Sequence, residues 1–85
     1  MNICIVSTFD GTTEDFMEIY NSTKPKMEGY MTDMEVGIVR EGKVIVMANI
    51  TNMEKLQEIM SSEEMKAWDV KFNNVDVVYS LEKQS

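Results

Sequence analysis

The β-prone segments of this chain are apolar on both of their faces, so a sheet built from them carries more apolar surface than the chain's helices can cover. A half-solvated antiparallel strand alternates apolar with polar residues, because successive side chains point to opposite faces. The stretch from Val36 to Ile50 hardly alternates: Ile38, Val39, Val44, Ile45, Val46, Met47 and Ala48 interrupt it only at Arg40, Glu41, Gly42 and Lys43. At 85 residues the chain makes one domain, residues 1–85, and a chain of this size buries roughly 60 to 65% of its unfolded surface. Stability is then marginal, and association is a natural supplement.

The order of elements follows from periodicity and punctuation. Ile3, Cys4, Ile5 and Val6 lead to Phe9 in a short β-branched run closed by Asp10-Gly11, which reads as a strand. Thr12 with Asp15 three positions on, or Thr13 in its place, caps a helix with Glu14, Asp15 and Glu18 near its positive end. Pro25 is expected to end that helix near Thr23, leaving residues 24–33 as a loop in which Met27, Tyr30 and Met31 pack over one end of the sheet. Strands at about Met34 to Arg40 and Lys43 to Ile50 flank a Glu41-Gly42 turn. Thr51 and Glu54 have capping-box spacing before Met53, Leu56, Ile59 and Met60, and Ser61 or Ser62 signals a break before a short turn with Met65 and Trp68. Asn73-Asn74 closes it, Val75 to Leu81 is the last strand, and residues 82–85 form a polar tail expected to fray.

The order βαββαβ is that of a ferredoxin-like α+β domain, a four-stranded antiparallel sheet with two helices on one face. A two-residue turn at Glu41-Gly42 pairs Val39 with Val44, Ile38 with Ile45 and Val36 with Met47. On that register the helix-covered face collects Ile3, Ile5, Phe9, Gly37, Val39, Val44, Val46, Ala48, Val75, Val77, Tyr79 and Leu81. The other face collects Cys4, Val6, Thr8, Met34, Val36, Ile38, Ile45, Met47 and Val78, with Asn49, Asp76 and Ser80 as polar members. Such a face exceeds what a monomer usually exposes, which makes a homodimer through it the expectation.

Composition narrows the function. Fifteen acidic against eight basic residues give a net charge of −7, which repels a phosphate backbone, so nucleic-acid binding is not expected. With no histidine and one cysteine, the usual proton shuttle and thiolate-rich metal sites are missing, and neither a metal nor a cofactor is implied. No run approaches the ~18 apolar residues of a membrane span, nor does a basic segment followed by an apolar run open the chain, so a cytoplasmic location is expected.

These segments together resemble the dimeric α+β barrel superfamily, small ferredoxin-like proteins related to antibiotic-biosynthesis and haem-degrading monooxygenases. The resemblance lies in the strand Ile3 to Phe9, the helix after Asp10-Gly11, the Val36 to Ile50 hairpin, the broken helix Met53 to Trp68 and the strand Val75 to Leu81. It implies two sheets meeting in a barrel, a final strand that helps join the protomers, and a ligand cavity in or beside the barrel. Haem-degrading members use a first-strand Asn, a second-helix Trp and a His. Here Ser7 or Thr8 and Trp68 stand at the first two positions and no His exists, so the resemblance does not extend to haem.

The expected function is binding of an apolar small molecule, acyl-chain-like or a hydrophobic metabolite, in the barrel. Cys4, Val6, Thr8, Met34, Val36, Ile38, Arg40, Ile45, Met47, Asn49 and Val78 are the expected ligand residues, with unbranched Met side chains adapting to the occupant. A cofactor-independent oxygenase or isomerase is the alternative, with Asp76, Asn49 or Tyr79 assisting proton transfer. A structural or regulatory interaction module is the third reading. Cys4, in apolar surroundings and without an imidazole, reads as structural.

Overall fold

The computed structural model describes residues 2–82. Its elements are β1 (Ile3–Thr8), α1 (Thr13–Met27), β2 (Met31–Arg40), β3 (Lys43–Ile50), α2 (Met53–Met60), α3 (Glu63–Phe72) and β4 (Val75–Ser80). The strands form one antiparallel sheet in the order β2-β3-β1-β4, the ferredoxin-like arrangement expected from βαββαβ. The expected frayed tail falls, for residues 83–85, outside the described residues.

Local signals set most element ends. Thr12 and Asp15 form a reciprocal capping box at α1. Asn52 caps α2 through Lys55 N–H, where Thr51 had been expected. Ser62 caps α3 through Met65 N–H, so the expected short turn is a ten-residue helix, and Asn73 ends it in the left-handed region at φ 51°. Gly42 takes φ 83° at the hairpin turn, and a Cβ there would meet the Phe9 carbonyl oxygen at 2.7 Å.

Pro25 does not end α1, which continues to Met27. Two residues from the terminus, a proline forgoes only one late helical hydrogen bond, and burial of Thr23 and the packing of Met27 against the core hold the final turn. The expected loop is accordingly helix, a short turn and the start of β2.

Two registers also depart from expectation. Arg40 pairs with Lys43 across the turn, but a bulge between Ile38 and Arg40 brings Ile38 opposite Val44 and Val36 opposite Val46. A second irregularity, between Thr32 and Glu35, contains Asp33 at φ 53°. Directly opposed residues share a face, so Met34, Val36 and Ile38 belong to the helix side, and Gly37, opposite Ile45, to the other. In β4, Cys4 faces Tyr79, Val6 faces Val77 and Thr8 faces Val75, while Ser7 faces Asp76 and Ile5 faces Val78. This reverses the expected face of every β4 residue. Either parity of that strand offers valines, so apolar pattern alone could not select one.

The core forms where β1 and β3 meet the helices: Ile3, Ile5, Val44, Val46, Ala48 and Ile50 pack against Phe16 and Leu56. Trp68 sits among aromatic rings, with centroids 5.2 Å from Phe9 and 4.8 Å from Phe72. Among the described residues, no helix is long and apolar enough to cross a membrane.

Candidate functional site

A cavity of about 70 Å³ lies between the sheet and the helices. Ile5 and Val46 line it from the strands, Phe16, Ile19 and Tyr20 from α1, and Leu56 and Trp68 from α2 and α3. Met27, Met31, Met34, Met60 and Met65 complete its apolar wall, which places there more than half of the nine methionines in the chain. Thioethers on unbranched chains repack at little cost, so this wall can change shape. Burial raises the Tyr20 phenol above its ordinary pKa, keeping it protonated at neutral pH.

The polar lining comes chiefly from β1 and from the junction of α3 with β4. Ser7 is buried on β1, and its hydroxyl donates to Asp76 Oδ1 at 2.5 Å. The left-handed cap at Asn73 turns the chain so that Asn74 N–H reaches the Asp69 carbonyl and Asn74 Nδ2 donates to Asp69 Oδ1 at 2.8 Å. Partial burial pushes the Asp69 carboxyl above its ordinary pKa; the Asn74 hydrogen bond opposes the shift and the charge of Asp76 adds to it. Asn74 Oδ1 is buried with no hydrogen-bond partner among the described residues.

The structure divides the residues expected to form the site. Met34 and Asp76 line this cavity and Val36 packs against the core beside it, whereas Ile38 and Val78, on the same side of the sheet, are exposed at its two edges. Cys4, Val6, Thr8, Arg40, Ile45, Met47, Asn49 and Tyr79 lie on the opposite, uncovered face. There Asn49 Nδ2 donates to Asp33 Oδ2 at 2.7 Å, tying the bulge of β2, and Arg40 donates to the Glu41 carbonyl. Cys4 is a half-buried free thiol.

Ser7, Asp69 and Asn74 were not anticipated as site residues. Ser7 left a signal, a small polar residue at an inward position of an otherwise apolar strand. Asn74 read only as a helix terminator.

A four-stranded antiparallel sheet with three helices on one face, an apolar cavity beneath them and a second apolar face left open defines a ferredoxin-like α+β domain. Solved structures share this architecture over nearly their whole length. The chain resembles an antibiotic biosynthesis monooxygenase at 10% identity and a TM-score of 0.64, covering 100% of both chains. It resembles SnoaB, a cofactor-independent oxygenase from Streptomyces nogalater, at 8% identity and a TM-score of 0.61, covering 98% of this chain and 95% of that one. A dimeric ferredoxin-like protein of unknown function from Thermobifida fusca follows at 12% identity and a TM-score of 0.52, with 95% and 92% covered. At such identities the likeness is one of fold. No family model matches the sequence, and no curated protein matches it.

Proposed function

We propose that the chain is a homodimeric protein that binds an apolar small organic molecule in the cavity between its sheet and its helices. The observation that carries this reading is the cavity wall, apolar and rich in Met, with its few polar groups gathered mainly at Ser7, Asn74 and Asp76. Convergent polar groups in an apolar recess are the usual composition of a ligand site. At about 70 Å³ the space is smaller than ordinary ligand pockets of roughly 300 to 1,000 Å³, so binding requires the Met wall to give way. Dimerisation buries the open face that carries Val6, Ile45, Met47, Val77 and Tyr79.

Native mass spectrometry on protein purified from its expression host tests both parts. A species at twice the chain mass of 9.8 kDa, with an adduct displaced by toluene, is the expected result. A monomer with no adduct, unaffected by toluene, speaks against it.

One observation favours an enzyme of the cofactor-independent oxygenase or isomerase type: Asp76 stands at the cavity wall beside a second carboxyl with a raised pKa. An oxygenase of this type needs a base that removes a proton from a carbon acid, after which the carbanion reacts with O2. Asn49 and Tyr79 lie across the sheet, so Asp76 carries this reading alone. With 2-indanone, a compact carbon acid, the enzyme reading expects oxygen uptake or deuterium incorporation that Asp76→Asn abolishes; neither occurring would leave the chain a binder.

A further inference from the structure

We propose that the polar end of this cavity recognises a protonated primary amine carried on an apolar body, an inference that rests on the binding reading above and names its ligand class. The inventory of donors and acceptors carries it. The Ser7 hydroxyl hydrogen is committed to Asp76 and an Asn74 amide hydrogen to Asp69. The Asn74 amide cannot be turned round, because its oxygen would then face the Asp69 carboxylate. Its Oδ1 is left as a buried acceptor without a donor, a state that costs free energy unless something fills it.

Apart from the Tyr20 hydroxyl and the Trp68 indole N–H, the remaining polar capacity beside the cavity is acceptor capacity. Asp69 and Asp76 each keep a second carboxylate oxygen, and neither residue forms an ion pair among the described residues. Burial chiefly holds the Asp69 pKa up, and the charge of Asp76 adds to it. The other polar atoms of the wall, the Tyr20 hydroxyl and the Trp68 indole N–H, carry no charge.

An ammonium supplies three donors, no acceptor and a positive charge. It can satisfy Asn74 Oδ1 and bridge both carboxyls while its apolar body lies against Phe16, Trp68 and the methionines. A hydroxyl supplies one donor and leaves the carboxyl pair uncompensated. A carboxylate supplies none and meets like charge, so this end of the cavity selects against free fatty acids and other acid-headed lipids.

The test uses one apolar body with three heads, 2-phenylethylamine, 2-phenylethanol and phenylacetate, with toluene as the headless reference. Binding is followed at pH 7 by calorimetry and by the fluorescence of Trp68, the single tryptophan. The amine is expected to bind at least tenfold more tightly than the alcohol, with phenylacetate the weakest. In Asp76→Asn, which retains an acceptor for Ser7, the preference for the amine over the alcohol is expected to vanish, whatever the change in the affinity common to both. Asp69→Asn, at the more solvated carboxyl, provides a second variant with a smaller loss of the same preference. Equal binding of amine and alcohol, acid binding as tight as either, or an amine preference that survives both substitutions overturns the inference while leaving the cavity a binding site. Failure of all four probes, toluene included, overturns the binding reading and this inference with it.

Discussion

The two faces of the sheet are made from the same strands and nearly the same residue types, yet they end in opposite environments. On the central strand β3, Val44 and Ala48 are 0% exposed on the helix side, while Ile45 and Met47, on the other side of the same strand, are only partly buried. What separates them is the allocation of the three helices, all of which cover one side. An apolar face is therefore not by itself a core. In this chain one face is completed by the chain's own helices, and the other is left open by them.

Adjacent residues on β3 give the strongest way to break that comparison. Val44→Lys puts an unpaired ammonium where no water reaches, and the cost, several kcal/mol at least, rivals the whole stability of about 5–15 kcal/mol that a small domain has. Circular dichroism should find that variant unfolded. Ile45→Lys, one residue on, points to the open face and should leave the helical signal intact while halving the mass seen by light scattering. If Ile45→Lys unfolds the chain as well, the second face is no interface but part of a single core.

A truncation measures the covered side without adding charge. Leu56, 1% exposed, should lose about 2–5 kcal/mol as Leu56→Ala, read from urea denaturation. Ser7→Ala is smaller and local: it strips Asp76 of its hydrogen bond inside the fold, and about 1–2 kcal/mol is expected. A Ser7→Ala variant as stable as the parent would mean that water replaces the hydroxyl freely and that the cavity end is open.

Much of this contrast was legible in the sequence, and the parts that were not have physical reasons. Capping at Thr12, the break at Ser61-Ser62 and the Glu41-Gly42 turn were readable because each depends on residues three or four apart. The excess of apolar surface was readable because it is a matter of amount. Which side chain faces which way was not, since a single bulge at Ile38 to Arg40 moves Val36 and Met34 across the sheet, and nothing in a run of β-branched residues marks the bulge beforehand. The parity of β4 is set by pairing with β1 across the whole chain. Asp76 was singled out for the chemistry a desolvated carboxyl can do, but on the wrong face. Its partner Ser7 lies 69 positions away, beyond the reach of any local pattern, and of the two methionines expected on the open face Met34 walls the covered side while Met47 stays where it was expected.

The smallest effect tests whether the cavity end is electrostatically strained in the way its geometry implies. Asp69 has a folded pKa raised from its ordinary value of 3.8 by burial and by Asp76. Between that ordinary value and the raised one, the folded chain holds a proton that the unfolded chain has released. Stability therefore falls as pH rises through this window, and the deficit persists above it. Asp69→Asn removes the deficit while keeping an oxygen for Asn74 Nδ2. The variant should gain on the parent between about pH 3 and pH 7, by less than about 1 kcal/mol because the group is largely solvated. A stability difference that stays flat across that range would mean that neither burial nor the charge of Asp76 raises the Asp69 carboxyl in the folded chain.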